Sequence, residues 1–371
     1  MIMAKKNAYF PQSVPHPGTD LAEKLEEWGM GPKEFAIRTG KPEKTITAIL
    51  KGESSITPDM AVQFENVTRV PAHFWLNRQR NFDECNARER QRETLVQSIG
   101  WAKQFPVSEM VKKGWLPDVI TWEEKTAVLL AFFGFSNHHA WEDYYFRQQL
   151  KVSFRISLVQ TTAPFAISAW LRKGELQAAE LSSKPYSAAA FKEALPELKK
   201  IMASHPATFF DQLQAICQEA GVKVVHTPCL PKTPISGATR WLNNTPLIQL
   251  TGRYKRNDSF WFTFFHEAGH ILLHGKKDIF LEDVEYEKRK VTEDAEMKEK
   301  EQEADEFAVK WTFSEDEEAE VLAVAPISEQ HIRRFAKKFG THPAIITGRL
   351  QHKGIVPYTF GKQYFQAVDF A

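Results

Sequence analysis

The segment His266-Glu267-Ala268-Gly269-His270 constrains this chain more than any other stretch. Histidines at i and i+4 share one face of a helix, where both imidazoles can reach one ion. The glutamate beside the first can hold a water against that ion. The flanks, SFWFTFF before and ILLH after, are apolar on every side, so a helix over about 259–274 should be buried. His266, Glu267 and His270 are the polar exceptions in it. A buried carboxylate without a partner is costly, and a metal-bound water supplies one. The spacing predicts a zinc centre with His266 and His270 as ligands and Glu267 as the general base of a hydrolysis. A pair of ordinary core histidines is the plainer alternative.

Such a centre needs a third protein ligand and an open fourth position. The metzincin continuation is excluded, because Leu273 and Lys276 stand where its Gly and His would be. His274, one turn beyond His270 on roughly the same face, could support the ligands from behind, but reads rather as a helix-end residue. The downstream run 301–308, EQEADEFA, is the better source. Ala304, Phe307, Ala308 and Trp311 recur at helical spacing, so one face packs inward. Glu303 lies in line with Phe307 and Trp311 at the edge of that face and is the expected third ligand. Glu301 and Asp305 are read as pointing further round. Arg240, Tyr254, His331 and His342 are candidate oxyanion partners. The strand near 247–250, if it is a sheet edge, would take an extended peptide by strand addition.

A second pattern occupies the N-terminal quarter. Short helices near 20–28, 32–38, 42–50 and from 58 are divided by Gly and Pro, with Gly40 and Gly52 closing the second and third. Helix, Gly40 turn, helix is helix-turn-helix spacing. In that geometry the second helix enters the major groove by its N-terminal residues. Lys44, Thr45 and Thr47 would face bases or phosphates, Ile46, Ile49 and Leu50 would pack inward, and Lys33 and Lys51 would hold phosphates. Residues 1–90 carry 13 basic and 12 acidic side chains, a net of +1, so any DNA footprint is local.

The whole chain of 371 residues is also near neutral, at +1, which excludes a global electrostatic argument for nucleic acid or membrane. Its length calls for two or three cores. Three widely spaced cysteines, Cys85, Cys217 and Cys229, form no CxxC pair, which fits a reducing cytoplasm. No signal peptide or membrane span is expected. The expected class is mainly α with a small β-sheet. An N-terminal arm (1–18) leads to an all-α helix-turn-helix domain (19–83) and a connecting helix (84–104). A helical middle region (105–204) and a zincin-like metallopeptidase domain (205–371) follow. Strands are expected at 221–225 and 246–250, and closing helices near 328–339 and 344–351.

The run FWFTFFHEAGHILLHGKK, followed by EQEADEFA, resembles the ImmA/IrrE metallopeptidase family. The stretches SGATRWLNNTPLIQLTGRY and HPAIITGRLQHKG look like that family's strand region and closing helix. The resemblance spans roughly 205–355. It implies His266, His270 and Glu303 as zinc ligands, Glu267 as general base, and narrow proteolysis of a regulatory protein. Residues 16–82 resemble the HigA branch of the XRE-type helix-turn-helix antitoxins, through the opening HPG, the ILKG turn, SSITPDMA and FWLNRQ. That implies double-stranded operator DNA as a partner, bound by a homodimer on a palindromic site. The combined expectation is an antitoxin-like regulator fused to a zinc endopeptidase that cuts a repressor, a toxin partner or its own linker near 84–101. A second reading makes the metallopeptidase fold a non-catalytic sensor or scaffold, and a third makes it a small-molecule hydrolase.

Overall fold

The computed structural model describes residues 13–148, 163–231, 233, 235–253, 255–276, 280–281, 295–324, 326–368 and 370. They form two compact units, divided after Gln97.

The first unit is all helix: α1 (Pro17–Glu27), α2 (Pro32–Thr39), α3 (Glu43–Leu50), α4 (Pro58–Thr68) and α5 (Ala72–Gln97). Proline opens three of these helices, where a missing N–H costs nothing. Gly40 closes α2 at φ 66°, a left-handed conformation that glycine adopts without strain. The HPG opening has a physical reason. His16 Nδ1 accepts the Gly18 N–H at 2.9 Å and caps α1, while its ring meets Phe82 edge-on. Leu21, Phe35, Ile46, Ile49, Phe64 and Trp75 fill the core. A two-pronged ion pair from Arg78 to Asp20, at 2.6 and 2.7 Å, ties α5 to α1.

The second unit begins with α6 (Ile99–Ala102), α7 (Val107–Lys112), α8 (Trp122–Phe133) and α9 (His138–Glu142), the last running into a π-helical turn at Asp143–Gln148. Trp101, Phe105, Phe133, Trp141 and Phe165 pack into one aromatic cluster, mostly edge to face. The tryptophans of this region that serve as core are therefore Trp101, Trp141 and Trp170, all buried.

Next come α10 (Pro164–Glu180), α11 (Ala188–Ser204), α12 (Phe209–Glu219) and a small sheet. Its strands are β1 (Lys223–His226), β2 (Gly237–Leu242), β3 (Thr245–Leu250) and β4 (Phe280–Leu281), in the order β1-β3-β2-β4. β1 runs parallel to β3, while β2 is antiparallel to both β3 and β4. Asn243, in the left-handed region at φ 58°, turns the β2–β3 hairpin. β3 thus lies between two strands and is not an edge, which removes it as a docking site for an extended peptide.

Strand alternation sends neighbouring side chains to opposite faces. Arg240 and Gln249 reach α10, through Glu175 and the Leu171 and Trp170 carbonyls. Thr239 faces the other way and donates to the Glu267 carbonyl of α13 (Asn257–Leu273). The sheet is held between these two helices. α14 (Ala295–Thr312), α15 (Glu315–Leu322), α16 (Glu329–Phe339) and α17 (Pro343–His352) complete the unit. Among the described residues no helix is long and apolar enough to cross a membrane.

Candidate metal centre

The central helix is buried over almost its whole length, as its flanks require. Phe260, Trp261, Phe264, Phe265, Ala268 and Ile271 enter the main core, and His266, Glu267 and His270 are buried with them. Gly269 sets the distance to the next helix. A Cβ there would lie 3.2 Å from Phe307 Cβ and 3.3 Å from Ala304 Cα, so α13 and α14 meet closely at Gly269 and Ala304. That approach brings acidic residues of α14 against the imidazoles.

His266 Nε2 and His270 Nε2 lie 2.9 Å apart. Glu301 Oε2 faces both, at 3.2 Å from His266 and 3.6 Å from His270. Among the described residues, His266, His270 and Glu301 are the group whose donor atoms could hold a metal ion. Glu303, the ligand expected from the sequence, is not in that group. Its carboxylate is turned toward His274, at 2.9 Å, and its side chain is half exposed.

The reason lies in where the inward face of α14 is centred. The fully buried positions are Ala304, Ala308 and Thr312. With 3.6 residues per turn, Glu301 falls in the middle of their line and Glu303 on the far side. Phe307 and Trp311 are only half-buried and mark one edge. Weighting them as core draws the face round toward Glu303.

Asp305, one turn beyond Glu301 on the same side, receives His266 Nδ1 at 2.9 Å. A carboxylate accepts and does not donate, so His266 carries its proton on Nδ1 and directs the Nε2 lone pair inward. Phe280 of β4 stacks on the His270 ring at 3.7 Å and 10°, and covers it. Burial lowers the His270 pKa to about 4, so its imidazole is neutral at pH 7. Burial pushes the Glu301 carboxyl up, but its contacts with His266 and His270 lower it and prevail, bringing it to about 2. Two imidazoles and a carboxylate are the donor set of a catalytic zinc site with an open position. Converging nitrogen and carboxylate acceptors fit a cation.

Glu267 is wholly buried on the β2 side of its helix. Gly237, the first residue of β2, leaves the room it uses: a Cβ there would stand 2.5 Å from Glu267 Oε1 and 2.8 Å from Thr263 Cγ2.

Arg240 is on the opposite face of the sheet, bound to α10. His331 belongs to the capping box of α16, and His342 caps α17 while receiving Asn257 Nδ2. Each has a structural partner away from the His266–His270 pair. Tyr254 lies outside the described residues.

In the first unit Lys33, Lys44 and Lys51 are exposed, and Thr45 and Thr47 are partly so. Ile46 and Ile49 are fully buried. The exposed side of α3 therefore carries Lys44, Thr45 and Thr47, with Lys51 just past its end and Lys33 on α2.

Residues 217–350 match the family model Peptidase_M78, the IrrE N-terminal-like domain. A second similarity is to an uncharacterized HTH-type transcriptional regulator, YddM, of Escherichia coli strain K12. It is 32% identical over 65 residues, which is 18% of this chain and 69% of that protein. Among solved structures, an addiction module antidote protein of a HigA family from Coxiella burnetii is 31% identical. The match covers 23% of this chain and 94% of that one, with a TM-score of 0.22. The Pseudomonas aeruginosa antitoxin HigA, solved with the higBA promoter, is 28% identical over 20% of this chain and 80% of its own, with a TM-score of 0.19.

Proposed function

From the premise that this chain belongs to the HTH-type transcriptional regulators by its N-terminal unit and carries an IrrE N-terminal-like peptidase domain, we propose that it is an operator-binding regulator joined to a zinc-dependent endopeptidase. The observation that carries the enzymatic part is the meeting of His266 Nε2, His270 Nε2 and Glu301 Oε2 beside the buried Glu267. In this reading Glu301 replaces Glu303 as the third ligand.

When bound, zinc would supply Lewis acidity toward a scissile carbonyl and toward a water. The chain's own residues do the rest. Glu267, positioned by the Thr239 bond to its backbone and by the space at Gly237, takes a proton from the attacking water on its carboxylate. It then delivers that proton to the leaving amine. Asp305 keeps His266 in one tautomer. Phe280 keeps water off one face of His270.

The substrate fitting this fusion is a regulatory protein, a repressor or toxin partner. Self-cleavage within 84–97 is disfavoured, because those residues lie inside the continuous helix α5 and a peptidase site takes extended chain. On the DNA side, Lys44, Thr45 and Thr47 present the start of α3 to the major groove, with Lys33 and Lys51 on phosphates. One such module offers few contacts, so a homodimer on a palindromic operator is part of the proposal.

The decisive experiment compares wild type with Glu267→Gln. Both should bind one equivalent of zinc, and only wild type should cut a helix-turn-helix regulatory protein offered as substrate. A Glu267→Gln protein with unchanged biological effect would make the fold a scaffold instead.

A further inference from the structure

His270 has an outer contact different from that of His266. Its Nδ1 lies 2.9 Å from His274 Nδ1, and His274 Nε2 lies 2.9 Å from Glu303 Oε2. The His274 side chain is 3% exposed, whereas that of Glu303 is 52% exposed. His274 also leans on Phe280, the ring that stacks on His270. A half-exposed acidic side chain is thus connected to the interior of the centre through one buried imidazole.

We propose that His274 and Glu303 form an outer relay that orients His270, with His274 as a positioning residue and Glu303 as its anchor. The inference rests on the metal-centre reading above.

A carboxylate can only accept, so the His274–Glu303 bond places the His274 proton on Nε2. A neutral imidazole with Nε2–H offers a lone pair at Nδ1. That lone pair accepts the Nδ1–H of His270, which leaves the His270 Nε2 lone pair pointing at His266 and Glu301. Each link fixes the next, so the acceptor oxygen of Glu303 decides a tautomer two hydrogen bonds away. Without His274, His270 is free to hold its proton on Nε2, the atom that must bind the ion. Asp305 does the same for His266 in one step. Helix α14 therefore supplies one ligand, Glu301, and the outer anchors of both histidines, from three alternate positions. Removing an outer partner of this type costs about tenfold to a hundredfold in metal affinity.

The test uses the full chain and has two readouts. Zinc affinity is measured by competition with a chelator for wild type, His274→Ala, Glu303→Ala and Glu303→Gln. His274→Ala and Glu303→Ala should each lose about tenfold to a hundredfold. Glu303→Gln keeps an acceptor oxygen and should recover most of the Glu303→Ala loss, which a bulk electrostatic role for Glu303 would not allow. Because Glu303 is half exposed, its variants report even if His274→Ala does not fold. The second readout is the imidazole nitrogen spectrum of the metal-free protein, where His270 should appear as the Nδ1–H tautomer and His274 as Nε2–H. Wild-type affinity in both alanine variants, or a His270 carrying Nε2–H, overturns the relay. A wild type that takes up no zinc would overturn the metal centre, and the tautomers would still decide the relay.

Discussion

At the residue scale, Glu301 and Glu303 separate by what each faces. Glu301→Ala removes a group within 3.2 and 3.6 Å of the two imidazoles and should abolish stoichiometric zinc in the purified protein. Glu303→Ala acts only through His274 and should leave zinc bound at saturating concentration. Equal zinc contents for Glu301→Ala and wild type, by elemental analysis after dialysis, would contradict this assignment. Gly237 offers a second substitution. Adding one methyl by Gly237→Ala forces the Glu267 carboxylate to move, since 2.5 Å is far inside van der Waals contact. Zinc affinity should stay within about twofold while any peptidase activity falls by about tenfold or more, since a small misplacement of a catalytic group is expensive. Retained activity would show that Glu267 has room the structure does not display.

At the element scale, the α13–α14 contact and the exposed side of α3 do the work. The close approach of α13 and α14 depends on Gly269 opposite Ala304 and Phe307. Gly269→Val drives a branched side chain into that contact and should cost about 1–3 kcal/mol of stability, as overpacking does. It should weaken zinc binding too, because Glu301 and Asp305 move with α14. Thermal unfolding with and without a chelator checks both effects. In the first unit, α3 shows its polar side to solvent and its Ile46 and Ile49 side to the core. Lys44→Ala should weaken duplex binding without touching the fold. If Lys44 meets a phosphate, the salt dependence of log K should lose a slope of about 0.9. A slope unchanged from wild type, read by fluorescence anisotropy across a salt series, would place Lys44 off the DNA.

On the scale of the molecule, buried histidines link stability to acidity. Burial lowers His205, His226 and His270 to about 4, with neighbouring His342 adding to the effect at His205. Between pH 6.5 and about 4 the unfolded chain takes up these protons and the folded chain does not. Stability is therefore full above pH 6.5 and falls as pH drops toward 4, by about 1.4 kcal/mol per pH unit for each such histidine. Glu301, held near 2, adds a loss of its own below pH 4.5. In metal-free protein, His205→Gln should flatten the pH 4–6.5 limb of the melting curve. A limb as steep as wild type would mean that His205 takes up its proton while folded. Zinc, bound by the folded state alone, should raise the melting temperature in proportion to the logarithm of its concentration.

Local pattern was enough to determine several things about this protein. Imidazoles one turn apart on an apolar helix, glycine after α2, and proline at helix starts are rules of nearest neighbours. They made the helix-turn-helix, the central helix and the pair His266–His270 legible in the sequence. β1 and β3 were legible as apolar runs, whereas β2 mixes Arg240 and Trp241 with small residues and needs both faces covered to be seen as a strand. β4 has only two residues and exists by pairing with Ala238 and Thr239. Tertiary packing alone decided which acidic residue meets the imidazoles. Glu301, Glu303 and Asp305 sit within five positions of one helix, and a rotation of that helix exchanges them. The rotation is fixed by the fit of Ala304 against Gly269, a contact across more than thirty residues of chain. The same packing turned His274 from a helix end into a link between His270 and Glu303, because only the folded chain brings α14 beside it.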